Sequence, residues 1–212
     1  MLRTTLRVSC ALAFLFVTAG ALAQEFSADV VDLKGSNLNL NKIYVGKDKV
    51  RVNANESGNA MGPGAIIIDE AQKKHIGLIS QQHMYMEIPM TMYPRALRLF
   101  HVSDVNDACP QWKAAIEEMK GSKYGTCTKL GSDSLNGRST VKYQGTSTDG
   151  KTSYIWVDTN LHCVVKTEDA NSSMELRNIK EGPQPASLFE IPSDYTKFDM
   201  GSMMQRGQYG KP

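Results

Sequence analysis

The residues with the most chemical potential lie between His83 and Met92, where the chain reads HMYMEIPMTM. Met84, Met86, Met90 and Met92 hold alternate positions, and Ile88 interrupts them. In an extended strand Met84, Met86 and Ile88 point one way, and His83, Tyr85 and Glu87 the other. Three readings fit such a row. Thioether sulfur is soft enough to hold Cu(I). Methionine is also an unbranched, polarizable filler of apolar walls, suited to a cavity that takes varied greasy ligands. A plain core strand looks the same. Alternate residues of one strand lie about 7 Å apart, too far for two sulfurs to share an ion without bending. Ile88 also breaks the row. The spacing therefore favours wall or core, with a copper set completed by His83 and Met203 or Met204 left open.

Other chemical signals are weaker. Gly145 to Thr152, GTSTDGKT, satisfies G-x-x-x-x-G-K-[ST] to the letter. A phosphate-cradling loop needs a helix directly after it. Here SYIWVD follows, which reads as a strand, and Asp149 would oppose phosphate, so the segment is expected to be a hairpin turn without a nucleotide. His75, His83, His101 and His162 show no H-E-x-x-H spacing, and no G-x-S-x-G is present. No catalytic residue, metal centre or cofactor is expected, and the chain is read as a non-enzyme.

Cysteines bear on the compartment. Beyond the first residues the chain carries Cys109, Cys127 and Cys163. Pro110 to Lys120 reads as a helix, with proline at its first position and Gly121 after its end. Trp112, Ile116 and Met119 share one face. That helix spans roughly 16 Å, and the return from Gly121 to Cys127 can cover it. Cys109–Cys127 is the preferred disulfide, with the other pairings open. Cys163, in the apolar run LHCVVK, is expected to be a buried thiol.

The elements that must hold these residues are mostly strands. EFSADVVDL alternates, KIYVGKDKVRVNA turns at Gly46-Lys47-Asp48, and GAIIIDE with KKHIGLIS makes a hairpin. HMYMEIP should end at Pro89, which cannot donate to a ladder. YPRALRLFHV reads as a short amphipathic helix, with Arg95 and Arg98 on one side. From Thr126 five strands follow: TCTKLGSDSL, RSTVKYQGTS, TSYIWVDT, LHCVVKTED and SSMELRNIK. Asn136-Gly137 and Asp149-Gly150 separate them as two-residue turns that tolerate positive φ. A sheet that long must curl.

The ends bound the domain. Arg3 and Arg7, an apolar run from Val8 and Ala21-Leu22-Ala23 predict a secretory signal peptide over residues 1–23, cleaved before Gln24. Residues 24–198 form one domain and 199–212 a disordered tail. Taking Arg3 and Arg7 from 24 basic residues leaves as many basic as acidic, 22. That balance gives no electrostatic case for nucleic acid. No second apolar stretch is long enough to span a bilayer. An exported chain, periplasmic or secreted, meets an oxidising compartment, in which the disulfide persists.

The segments HMYMEIP, LGSDSLNGRSTVKYQ, DGKTSYIWVDTNLHCVVKTE and MELRNIKEGPQPASLFEIPSDYTKFDM, with the paired cysteines, resemble an exported bacterial family of unknown function. That family is similar to the outer-membrane lipoprotein-carrier (LolA/LolB-like) superfamily. Trp156, Val157 and Asp158 match its W-V-D hairpin, and Leu188 to Pro192 its terminal LFEIP segment. The resemblance implies a mainly β fold: a curved antiparallel sheet or incomplete β-barrel, one or two helices forming a lid, and an apolar cavity for acyl chains. Arg95 or Arg98 would make the lid contact that holds such a cavity closed.

The expectation is an exported protein that binds a hydrophobic ligand, such as an acyl chain or lipid-linked molecule, in the concave face. Met84, Met86, Ile88, Tyr154 and Trp156 are the expected wall. A periplasmic copper-binding protein, or a ligand-free envelope sensor with a protein partner, is the alternative.

Overall fold

The structure, a computed structural model, describes residues 24–35, 40–54, 64–69, 71–88, 101–117 and 123–198. The expected signal peptide, the Arg95/Arg98 segment, Met90, Met92 and the tail lie outside the described residues.

Among the described residues, twelve strands make one sheet: β1 (Phe26–Asp32), β2 (Leu40–Val45), β3 (Lys49–Ala54), β4 (Ala65–Asp69), β5 (Lys74–Ile79), β6 (Met84–Ile88), β7 (Tyr124–Leu135), β8 (Arg138–Ser147), β9 (Thr152–Asp158), β10 (Cys163–Asp169), β11 (Ser173–Glu181) and β12 (Thr196–Lys197). Their spatial order is β12-β6-β5-β4-β3-β2-β1-β11-β10-β9-β8-β7. Two meanders, β1 to β6 and β7 to β11, thus join side by side through β1 and β11. Every pairing is antiparallel except the short β12–β6 contact. The sheet is curved and not closed into a barrel. The helix α1 (Cys109–Glu117) packs on it.

Alternation in the sequence becomes alternation of face. On β4, Ile66 and Ile68 join the large core with Phe26, Ile43, Val45, Val50 and Val52. Ala65 and Ile67 face the other way, against Phe189 from a 3₁₀ turn at Ala186–Phe189. Burial on both sides explains why AIIID is a continuous apolar run, unlike a half-exposed strand. Asn136 and Gly137 have φ of 51° and 79°, the positive pair that a two-residue hairpin requires.

Trp112, Ala108 and Val102 pack against Val141, Tyr143, Ile155, Val157 and Val164. Tyr143 anchors the segment before the helix: its hydroxyl donates to the Val105 carbonyl at 2.8 Å and accepts from the Ala108 N–H at 3.3 Å. A disulfide joins Cys109 to Cys127, with Cα atoms 5.6 Å apart, and so ties α1 to β7. Cys163 is fully buried, and burial pushes its thiol pKa up.

Two features differ from the sequence expectation. β7 begins at Tyr124, before the expected Thr126. Nothing in the sequence warns of β12. It is two residues long and runs parallel to β6 through Thr196 N–H to His83 O (2.9 Å) and Phe198 N–H to Tyr85 O (2.7 Å). So short a strand carries no periodicity to detect.

Candidate functional site

The expected wall is divided between two ends of the sheet. Met84, Met86 and Ile88 lie on β6, next to the terminal β12, whereas Tyr154 and Trp156 lie on β9, beyond β1, β11 and β10. Register places Met84, Met86 and Ile88 opposite Ile79, Gly77 and His75. Those residues in turn lead to Ile66 and Ile68 of the large core. Ile88 is buried, while Met84 and Met86 are half-buried. His83, considered for copper, places Nδ1 2.6 Å from Asp194 Oδ2 and stacks on Tyr195. Met203 and Met204 lie outside the described residues.

Tyr154 and Trp156 point away from α1, because the helix covers the alternate residues Ile155 and Val157. Trp156 is buried between two cations: Lys142 and Lys166 each place Nζ 4.5 Å from its ring centre. Lys142 also sits 4.9 Å from the Tyr154 ring. The Trp156 indole N–H donates to Asp133 Oδ2 at 2.8 Å, which holds that carboxyl below its ordinary pKa. Trp156 is thus enclosed by long polar side chains, and a ligand reaching it would have to displace them. Asp158 organises the following turn by accepting the Asn160 and Leu161 N–H groups, both at 2.8 Å.

A cavity among the described residues lies beside this cluster, between the β7–β8 hairpin tip and β10–β11. It has a volume of about 600 Å³ and is lined by Leu135, Asn136, Arg138, Val165, Leu176, Arg177, Asn178 and Ile179. That volume falls within the roughly 300–1,000 Å³ of small-molecule sites. Four aliphatic side chains supply its apolar surface, and two guanidiniums and two carboxamides its polar surface. The sequence named none of the eight as a site residue, and Asn136 only as half of a turn.

Bulges build it. Between Val157 and Trp156 on β9 there is one step, while β10 takes two, which leaves Val165 as the extra residue. Between Ser27 and Asp29 on β1 there are two steps, while β11 takes three, so Asn178 and Ile179 oppose Ala28. Asn178 has φ of 50°, a left-handed conformation that asparagine tolerates better than most residues. An extra residue bends its strand and re-aims the next side chain. Consecutive residues 176–179 can therefore line one cavity, which strict alternation forbids.

Polar contacts tie the hairpin tip to β11 beside the cavity. Asn136 Nδ2 donates to Glu175 Oε1 at 2.9 Å, and Arg138 Nη2 to Glu181 Oε1 at 2.6 Å. Both contacts reach from the β7–β8 hairpin to β11, three strand positions away, or roughly 14 Å across a flat sheet. Only a strongly curled sheet brings them together. Arg138 also pairs with the buried Asp158, and these two carboxylates raise its pKa above the ordinary value, Asp158 most. Glu175 is buried. Burial alone would raise its pKa, but hydrogen bonds from Arg177 (Nε to Oε1, 2.6 Å) and Asn136 outweigh it, so the pKa is lowered.

A smaller hollow of about 120 Å³ lies under α1, beside Trp112, Ile116 and Gly145. The Gly145–Thr152 segment runs from the end of β8 through a turn into β9. Asp149 there accepts hydrogen bonds from Ser147 Oγ and Lys123. Among the described residues, no group of three or more His, Cys, Asp and Glu could hold a metal, and no helix is long and apolar enough to cross a membrane.

No family model matches the chain, and no curated protein matches it. Solved structures do. An uncharacterized conserved protein from Thermus thermophilus is 12% identical with a TM-score of 0.51, over 84% of this chain and 91% of its own. At that identity the likeness shows the fold alone. Pseudomonas aeruginosa MucB, in its complex with MucA, is 13% identical with a TM-score of 0.46, over 82% of this chain and 57% of that one. A LolA superfamily protein from Nitrosomonas europaea is 10% identical with a TM-score of 0.30, over 79% and 89%. The chain therefore shares its curved-sheet fold with a solved protein of unknown function, and what it binds has to be argued from the cavity itself.

Proposed function

We propose that this chain is an exported, non-enzymatic carrier of a small amphiphile, whose hydrocarbon part lies in the cavity between the β7–β8 tip and β10–β11. The observation that carries the reading is the composition of that cavity: aliphatic Leu135, Val165, Leu176 and Ile179 beside polar Asn136, Arg138, Arg177 and Asn178. Apolar area withdrawn from water contributes about 25 cal/mol per Å², which would drive a hydrocarbon chain against the four aliphatic side chains. Export is supported by the amino-terminal sequence and by the Cys109–Cys127 bridge, which suits an oxidising compartment.

Native mass spectrometry on protein taken from the exporting cell, without refolding, tests the reading. A several-hundred-dalton adduct that extracts into organic solvent is expected. It should be lost when Ile179→Trp fills the cavity. Protein that is bare from the cell, and that takes up no dodecyl-chain probe afterwards, ends the proposal.

A further inference from the structure

The cavity has one polar group placed to read a ligand's head. Arg177 is 45% exposed and lines the cavity. Its Nε donates to Glu175 Oε1 at 2.6 Å, and Glu175 is itself buried and held by Asn136. The guanidinium is thereby fixed from behind. Among the described residues, its two terminal nitrogens have no partner. The neighbouring cation is differently occupied, since Arg138 directs Nε and Nη2 to Asp158 and Glu181. Those two carboxylates are in turn committed to Arg138, Asn160, Leu161 and Gln24. A cationic head would find no uncommitted carboxylate there, whereas an anionic head would find the outer edge of Arg177.

Resting on the carrier reading above, we propose that Arg177 selects a carboxylate-headed aliphatic chain. A planar guanidinium with its terminal nitrogens open matches a carboxylate in a two-point contact, as a lysine ammonium cannot. The charge count favours a monoanion. Arg138 is already balanced by two carboxylates, Lys166, which also acts on Glu175, is paired with Glu168 at 3.0 Å, and Glu175 stands behind Arg177, so a second negative charge on the ligand meets repulsion. The side chains of Asn136 and Asn178 donate to Glu175 and Asp29 through nitrogen. Their oxygens only accept, so they give an ionised carboxylate nothing and a hydroxyl head one neutral contact, weaker than the charge-assisted pair with Arg177.

Isothermal titration with dodecanoic acid, dodecan-1-ol and dodecyl phosphate, each below its aggregation limit at pH 7.5, tests this on chain purified from the exporting cell and stripped of lipid. The acid should bind about tenfold or more tighter than the alcohol, the discrimination expected of a charge-assisted contact. It should also bind tighter than the phosphate. Arg177→Gln should bring acid and alcohol to parity. Arg177→Lys, which keeps the charge and loses the fork, should recover only part of the preference. A variant-free measurement accompanies these: the carboxyl carbon of 1-¹³C dodecanoic acid, followed by NMR, should titrate at lower pH bound than free. Equal binding of acid and alcohol by the unmodified chain, or a bound carboxyl that titrates at or above its free value, overturns the selection by Arg177 and leaves the carrier reading standing. Binding of none of the three probes overturns both.

Discussion

At the scale of single residues, two positions carry clear consequences. Glu175 is buried and has a lowered pKa through Arg177 and Asn136. A carboxyl whose folded pKa is depressed contributes stability above its unfolded pKa and loses it as pH falls through the folded value. The stability difference between the natural chain and Glu175→Gln should therefore be largest near neutral pH and shrink below the ordinary carboxylate range. Urea denaturation between pH 7.5 and 3 checks the sign, and a difference that grows on acidification would contradict it. Gly145 is the second position. A Cβ there would lie 2.8 Å from the Trp112 ring, so glycine is needed for α1 to seat on β8. Gly145→Ala should cost about 1–3 kcal/mol, as overpacking usually does, with a blue- or red-shifted Trp112 emission marking the displaced helix.

Elements show why some of this structure was legible and some was not. Period-two apolar spacing located β1 through β6 and β8 through β11, and the Asn136-Gly137 and Asp149-Gly150 pairs located their turns, because those signals are local. Helix length and return length made Cys109–Cys127 the preferred bridge without closing the other pairings, and the structure forms it. The cavity did not follow, because it depends on bulges, and a bulge is a mismatch between two strands that neither strand shows by itself. One trace of it was available. In MELRNIKEG the apolar positions change parity between Leu176 and Ile179, and Asn178 stands between them. The bridge, for its part, has a local role. It closes a loop of separation 18 between a helix and an edge strand, and a loop of that size stabilises by about 3 kcal/mol in the chain-entropy account. Reduction should raise amide exchange across Cys109–Glu117 and the start of β7, while β2 to β5, which share no contact with the bridge, keep their protection. Uniform loosening of the whole sheet would mean that α1 supports more than the strands beneath it.

Across the whole molecule the two candidate walls lie on different strands, β6 on one side of β1 and β7–β8 with β10–β11 on the other, which makes them separable. Met84, Met86 and Ile88 lie on β6, and Leu135, Val165, Leu176 and Ile179 lie around the β7–β8 tip and β10–β11. The methionine strand remains a proposal for a greasy wall or a thioether site, since His83 is already engaged with Asp194. The second end has what a closing site needs. Hydrogen bonds from Asn136 to Glu175 and from Arg138 to Glu181 tie the hairpin tip to β11 beside the cavity; the first ends at a buried carboxylate and the second at a partly solvated one, so the Arg138–Glu181 contact is the one that opens most readily. A ligand inside binds the closed form better than the open one, and its differential affinity is what shifts that balance. Loading with dodecanoic acid should therefore slow amide exchange at 135–138 and 176–179 and leave 84–88 unchanged, as read by hydrogen-exchange mass spectrometry. Met84→Leu with Met86→Leu should leave that result intact, because leucine preserves apolar surface and removes only sulfur. Protection that appears instead over 84–88 would move the hydrocarbon site to β6, and protection there that requires copper and vanishes in the leucine variant would make the methionines metal ligands.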